Sequence, residues 1–274
     1  MKKVVAIMGS PRKNGNGAQM TKVIEEELTH LGDIEFTYLF LKDLNLEVCL
    51  GCSLCFKRGE ENCPFYEKKK NIIKQFDEAD GIIFVSSVYS YHINALLKNF
   101  IDHYSYLIHR PRFFGKAALI FVVRGDLFKE SKNYLKKIAK NWGFNVVTTT
   151  GPVEIASVNN KHKIKITNSL KNSTRKFHNA LYKTNMVSPK LYDLIFFNIW
   201  KLNALNLKEE FIADYIYWKE KGWLHEDYYY PVRINILKRT IALIITKIAV
   251  LFMRKVFGGY EIWLNGEQKR EKKN

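Results

Sequence analysis

Short apolar runs alternate with helically spaced apolar positions along the first 150 residues. Val4–Met8 is apolar throughout and has no helical period, and Gly9-Ser10-Pro11-Arg12 stops it at once. Such a run predicts a strand buried on both faces. From Gly17 to Leu31 the apolar residues fall at Met20, Val23, Ile24, Leu28 and Leu31, which predicts a helix with Gly32 as its C-cap. Glu35–Phe40, Gly81–Ser86, Ala117–Val123 and Asn145–Thr150 predict four more strands. A Lys-rich helix ending near Glu78, a helix over Ala95–Tyr104 and one over Glu130–Trp142 separate them. Alternation of this kind is the pattern of an α/β protein with a doubly wound parallel sheet.

Beyond Gly151 the alternation stops. Ile155–Lys201 carries nine Lys or Arg and a single acid, Asp193. Ser188-Pro189 predicts a helix start, and Asn206-Leu207-Lys208-Glu209 resembles a capping box that opens a helix ending near Gly222. A last helix is predicted over Ile236–Phe257, followed by a charged tail from Gln268 to Asn274. Two domains are therefore expected: residues 1–153, and a basic, aromatic-rich helical extension over 154–274. Lys247 splits the apolar part of the last helix into Thr240–Thr246 and Ile248–Met253, too little to span a bilayer. Arg239, Lys247 and Arg254 gather on one side and leave a broad apolar face. That face suits packing on the protein's own core or on a second subunit, and equally an interfacial helix on an anionic membrane. The stretch with Tyr215, Tyr217, Trp218, Trp223, Tyr228, Tyr229 and Tyr230 is expected to bury the extension against the sheet, or else to cover the edge of a bound ligand or shape a substrate pocket.

Composition narrows the classes. The chain has 274 residues, 47% of them hydrophobic, so it can bury a full core. Lys plus Arg exceed Asp plus Glu by 44 − 27, a net charge of +17. This excess favours an anionic partner, whether a nucleotide cofactor, an acidic protein or a lipid headgroup, or else describes a Lys-rich solvated surface. The sequence carries no nucleic-acid motif, so specific nucleic-acid binding is not expected. The apolar run after Met1-Lys2-Lys3 is too short for a secretory segment, and a cytoplasmic location is expected. All four cysteines, Cys49, Cys52, Cys55 and Cys63, lie in one short stretch. In a reducing compartment this points to metal or redox chemistry rather than a disulfide framework.

Gly9-Ser10-Pro11-Arg12-Lys13-Asn14-Gly15-Asn16-Gly17 stands between the first strand and the first helix. In an open parallel sheet ligands bind past the carboxyl ends of the strands, and a helix N-terminus there presents unpaired N–H groups to an anion. Ser10 and Asn16 add side-chain donors, and Arg12 and Lys13 add charge. The loop is neither the dinucleotide fingerprint nor a P-loop. The stretch Met8–Asn16 resembles the first loop of the NADPH-dependent FMN reductase family, of the flavodoxin-like superfamily. Ala79–Ser90 and Leu97-Lys98-Asn99-Phe100-Ile101-Asp102 resemble the family's third strand, its loop and the following helix. The resemblance covers about the first 150 residues and implies a flavodoxin-like, five-stranded sheet of order 2-1-3-4-5. It implies FMN contacts at Ser10, Arg12, Asn16, Gly17 and Ala18, with Ser87, Val88, Tyr89 and Ser90 against the flavin ring. Arg124 and Gly125 of the third loop match only loosely. The chain departs from the family in having Gly17 where Thr is usual and Ser87 where Pro is frequent.

The cysteine spacing, Cys-x2-Cys-x2-Cys-x7-Cys, lets thiolates converge on a compact loop. Within the family it resembles the motif of iron–sulfur flavoproteins, which implies a 4Fe–4S cluster taking electrons from a donor such as ferredoxin, often across a homo-oligomer interface. Zinc and free or reversibly oxidised thiols remain open on the residues alone. The function implied is an oxidoreductase in which FMN takes electrons from NAD(P)H or a reduced carrier and passes them to a small molecule or protein. The alternatives are an electron carrier without a small substrate, and a basic membrane- or nucleic-acid-docking module with a vestigial flavin site. His92, near the ring-facing loop, is a candidate proton donor or else a surface residue.

Overall fold

A computed structural model describes residues 1–123, 128–150, 160–183 and 186–256. The apolar runs form β1 (Lys2–Met8), β2 (Ile34–Phe40), β3 (Gly81–Tyr89), β5 (Ala117–Val123) and β6 (Asn145–Thr150) of one parallel sheet. They run in the order β2-β1-β3-β5-β6, with β1 at the switch point. Its Ala6 lies beside Tyr38 of β2 and Ile83 of β3. A two-residue strand, β4 (His92–Ile93), pairs antiparallel on the end of β3. With β4 set aside, the path is the expected 2-1-3-4-5. Two residues are too few to show a period in sequence.

Both faces of the sheet are covered, which is why β1, β3 and β5 are apolar along nearly their whole length. On one face α3 (Tyr66–Glu78), α4 (Ala95–His103) and α5 (Phe128–Asn141) bury Phe76, Phe100 and Leu135 against Ile7, Phe84 and Ile120. On the other, α1 (Asn16–Leu31) and α6 (Asn160–Leu181) bury Ile24, Leu28 and Phe177 against Ala6, Ile83 and Phe121. A short helix, α2 (Leu54–Lys57), lies within the cysteine stretch.

The helix α6 was not expected, since its sequence is polar and Lys-rich. Its apolar stripe is narrow, and Ile166, Leu170, Phe177 and Leu181 supply the contacts with the sheet layer. Gly81 makes this approach possible, because a Cβ there would stand 2.5 Å from Leu181 and 2.7 Å from Phe177. The chain divides into two compact units, Met1–Asn185 and Met186–Asn274, so α6 sits with the sheet unit rather than with a 154–274 extension.

The second unit holds α7 (Leu191–Asn206), α8 (Ile212–Glu220) and α9 (Ile236–Val256). Its core is aromatic. Phe197, Trp218, Trp223 and Tyr229 meet at ring centroids 4.7 to 5.6 Å apart, mostly edge to face, and the Trp223 indole N–H donates to the Tyr229 carbonyl at 2.9 Å. Trp218 and Trp223 are buried in this cluster of their own unit. Two helix starts differ from expectation. Lys190 caps α7, its N–H donating to the Asp193 carboxylate at 2.8 Å, just past Ser188-Pro189. Asn206–Glu209 opens no helix, because the Leu207 N–H bonds back to Asn203 and closes α7. No described helix is long and apolar enough to cross a membrane.

The α1–α6 contact carries a buried charge. Glu27 is 5% exposed and pairs with Arg175 at 2.8 Å and Lys171 at 3.4 Å. Burial works against its ionisation, but the hydrogen bonds and charges of Arg175 and Lys171 outweigh it and hold the carboxyl below its ordinary range. A carboxyl so depressed contributes stability above its unfolded-state pKa, and that contribution is lost as pH falls through the folded value. Glu27→Gln is therefore expected to lower stability at neutral pH by about 1–3 kcal/mol. In denaturant melts taken at successively lower pH, the gap between variant and parent should shrink through the carboxylate range. A gap independent of pH would refute this role.

Candidate functional site

The site begins where β1 ends. The Gly9 N–H donates to the Val85 carbonyl at 2.9 Å, keeping the chain against β3 for one residue past the strand. A Cβ at Gly9 would stand 2.6 Å from the Asn94 amide nitrogen and 3.0 Å from the Val85 carbonyl, so only glycine fits. Asn94 is the N-cap of α4, accepting the Leu97 N–H at 3.0 Å and donating to the Ser86 hydroxyl at 3.2 Å. One buried amide thus joins the end of β1, the end of β3 and the start of α4.

From Gly9 the chain turns through Ser10, which is buried, and its hydroxyl accepts the Arg12 N–H at 3.3 Å. The Gly15 N–H closes the turn onto the Arg12 carbonyl at 3.2 Å, and Gly15 is the N-cap of α1. The first helical bond runs from the Gln19 N–H to the Gly15 carbonyl, leaving the Asn16, Gly17 and Ala18 amides at the open end of the helix. The first turn of α1 contains no acid. Unpaired amides, a helix dipole and the Arg12 charge make this an anion seat.

Ser10, Arg12, Asn16 and Gly17 line one cleft with Ser87, Val88 and Tyr89 of β3. The Arg12 guanidinium donates to the Tyr89 hydroxyl at 3.1 Å across its mouth. Gly15 and Val123 also line it, and neither was singled out from sequence. Val123 is the last residue of β5, and the rule that ligands sit at strand carboxyl ends would have found it. Ala18 faces the neighbouring groove beside Lys13, Asn14 and Phe40. Arg124 and Gly125 lie outside the described residues. His92 is on β4 with its ring packed edge-on against Tyr134, centroids 4.8 Å apart.

Ser90 and Tyr91 form the two-residue turn between β3 and β4, with φ of 45° and 67°. Positive φ at both positions is the pattern of the type I′ hairpin turn, which suits Asn-Gly and costs other residues about 1–2 kcal/mol each. Strain of this kind collects beside functional sites. Here it fixes where Tyr89 leaves the sheet.

The four cysteines lie between β2 and α3. The Asn99 side chain of α4 holds this stretch, accepting the Cys49 N–H at 2.9 Å and donating to the Glu47 carbonyl at 2.9 Å. Cys49, Cys55 and Cys63 are partly buried and Cys52 is exposed, and no disulfide joins any of the four. Among the described residues no three His, Cys, Asp or Glu side chains are assembled to hold a metal ion. The donor chemistry nevertheless fits an anionic metal–thiolate group. Lys69 is 2% exposed, donates to the His103 carbonyl at 2.9 Å, and has the rings of Tyr104 and Tyr106 at 5.6 Å. Arg110 is equally buried, pairs with Glu60 at 2.9 Å and donates to the Cys55 carbonyl. Burial pushes the Cys55 thiol up to about 11, Lys69 and Arg110 pull against it, and Cys63 and Cys49 add to the rise. Of the two buried cations, Arg110 is tied to the cysteine stretch directly, through the Cys55 carbonyl. Lys69 and Arg110 went unnoticed in sequence, where they are two among 44 cations.

The family model described as NADPH-dependent FMN reductase matches residues 2–157. An iron–sulfur flavoprotein of Archaeoglobus fulgidus is 29% identical over 226 residues, covering 81% of this chain and the whole of that protein. An iron–sulfur flavoprotein of Clostridioides difficile is 24% identical over 226 residues, 80% of this chain and 98% of its own. Among solved structures, an azoreductase from Bacillus anthracis superimposes over 65% of this chain and all of its own, with a TM-score of 0.52 at 16% identity. That likeness shows the fold.

The strained turn yields a measurable expectation. Replacing Ser90-Tyr91 by Asn-Gly should raise unfolding stability by about 1–2 kcal/mol, because those residues accept positive φ at little cost. Chemical denaturation of the double variant reads this directly. A loss of stability would show that the Tyr91 side chain contributes more than its backbone costs.

Proposed function

The chain belongs to the NADPH-dependent FMN reductase family, and on that premise we propose that it binds FMN in the cleft between Ser10–Gly17 and Ser87–Tyr89. There it moves electrons from NAD(P)H or a reduced carrier to a small-molecule or protein acceptor. The observation that carries this reading is the convergence of a helix N-terminus, the Ser10 hydroxyl and the Arg12 guanidinium on one cleft that also has an apolar side. FMN, when bound, supplies the redox chemistry. The amides at the start of α1 and the Ser10 hydroxyl hold the phosphate. Arg12 adds charge and, through its hydrogen bond to Tyr89, couples the phosphate loop to the ring side of the cleft. Val88, Val123 and the Tyr89 ring supply a flat apolar surface that excludes water from one face of a planar ligand. Gly17 lacks the hydroxyl that the family usually carries there, which leaves Ser10 as the buried hydroxyl of the seat.

We further infer that Cys49, Cys52, Cys55 and Cys63 hold a 4Fe–4S cluster. The spacing, the names of the two archaeal and clostridial relatives and the buried Lys69 and Arg110 beside the sulfurs support this reading. Such a cluster would supply one-electron transfer from a donor such as ferredoxin. Lys69 and Arg110 would offset part of the thiolate charge, and Arg110 would hold α2 through the Cys55 carbonyl.

Two measurements test these readings separately. Ser10→Ala and Arg12→Ala are each expected to weaken FMN binding about 5- to 30-fold, the loss of a hydrogen bond to a charged group. Riboflavin, which has no phosphate, should bind Ser10→Ala as it binds the parent, and should lose less than FMN in Arg12→Ala, where the bond to Tyr89 is also removed. Equal losses for the two flavins in a fluorescence titration would overturn the phosphate assignment. Anaerobically purified protein is expected to contain iron and acid-labile sulfide in equal amounts, both lost in Cys52→Ser. Zinc without sulfide, or no metal at all, would retire the cluster.

A further inference from the structure

We propose that the outer face of α9 docks on an anionic lipid surface. The helix has two unlike sides. Its inner side carries Ala242 and Thr246, both buried, with the Thr246 hydroxyl bonded back to the Ala242 carbonyl at 2.8 Å. Its outer side carries Leu237, Ile244, Ile248, Leu251 and Phe252, which are 52 to 69% exposed. At 100° per residue these five fall within about a third of the helix circumference. The helix is 21 residues long, roughly 30 Å, so the face is a continuous apolar strip. Single exposed aliphatics are ordinary, whereas a strip of this kind marks a surface that something covers.

Charge decides between the possible occupants. Ile236–Val256 contains Lys238, Arg239, Lys247, Arg254 and Lys255 and no acid. Arg239 pairs with Asp227, and Lys238 donates to the Pro189 carbonyl at 3.2 Å. Lys247 is exposed and lies at the margin of the apolar strip. A second copy of the chain meeting this one through α9 would set each helix's cations against the other's, in a molecule whose net charge is already +17. Anionic headgroups complement the same cations while the acyl boundary takes up the aliphatic side chains. The helix is not long and apolar enough to cross the bilayer, so it lies in the interface. This inference stands apart from the redox reading, since it uses neither the cleft nor the cysteines.

The test is co-sedimentation of the full chain with vesicles of phosphatidylcholine alone or of phosphatidylcholine with 30% phosphatidylglycerol. The protein is expected to partition onto the anionic vesicles, several-fold less at high salt and little onto the neutral ones. Ile244→Asp/Ile248→Asp, which changes exposed positions, should cut partitioning at least tenfold with helical content unchanged by circular dichroism. Lys247→Glu should reduce it severalfold, and this variant carries the test should the double variant fail to fold. Partitioning unaffected by either variant would overturn the proposal. So would absence of binding to the anionic vesicles, and a dimer seen by sedimentation equilibrium that the double aspartate variant dissociates would then assign the face to a second copy of the chain.

Discussion

The site depends on a contact with no room in it: the backbone of Gly9 pressed against the Asn94 amide and the Val85 carbonyl. A methyl group at Gly9 would push the loop away from β3, and the anion seat would no longer face Ser87–Tyr89. The same Asn94 caps α4 and bonds Ser86, so α4 and the end of β3 are set by the side chain that limits Gly9. Loop, strand end and helix start are therefore one unit, and the cleft is formed by the fold before any ligand arrives. Preformed clefts of this kind at a switch point are the general solution for nucleotides in open parallel sheets.

Close approach recurs on the opposite end of β3. Gly81 leaves the space that Phe177 and Leu181 fill, and this admits α6 onto the face already occupied by α1. Glu27 then meets Arg175 and Lys171 across the two helices. A carboxylate buried without such partners would be strongly destabilising, so α6 is needed for Glu27 as much as for the apolar surface beneath it. Gly9, one residue past β1, and Gly81, the first residue of β3, act alike: each lacks a side chain where a neighbouring element comes close.

The cysteine stretch follows a different logic. Cys49 is anchored to α4 through Asn99, while Cys55 and Cys63 share surroundings with Lys69 and Arg110, two cations withdrawn from water. A buried cation is costly unless something compensates it. For Arg110 that partner is Glu60, and for Lys69 the described partners are a carbonyl and two aromatic rings. An anionic group held by the sulfurs would complete the compensation.

By itself the sequence determined what depends on near neighbours. Uninterrupted apolar runs marked the parallel strands, because a strand covered on both faces has no polar side to alternate. Ser10, Arg12, Asn16 and Gly17, set between a strand and a helix, marked the loop with the open amides of α1, because those N–H groups belong to adjacent residues. Tertiary structure decided whatever turns on distant partners. It gave the polar, Lys-rich Asn160–Leu181 a place on the sheet, since a narrow stripe becomes a core only against a surface shaped to receive it. The capping signal at Asn206–Glu209, by contrast, lost to another local bond, the Leu207 N–H closing α7 on the Asn203 carbonyl. Tertiary structure chose Lys69 and Arg110 from among 44 cations for burial beside the cysteines, and brought Val123 to the cleft from a strand more than a hundred residues away. Periodicity and spacing are local properties, whereas burial and charge compensation are settled only when remote segments meet.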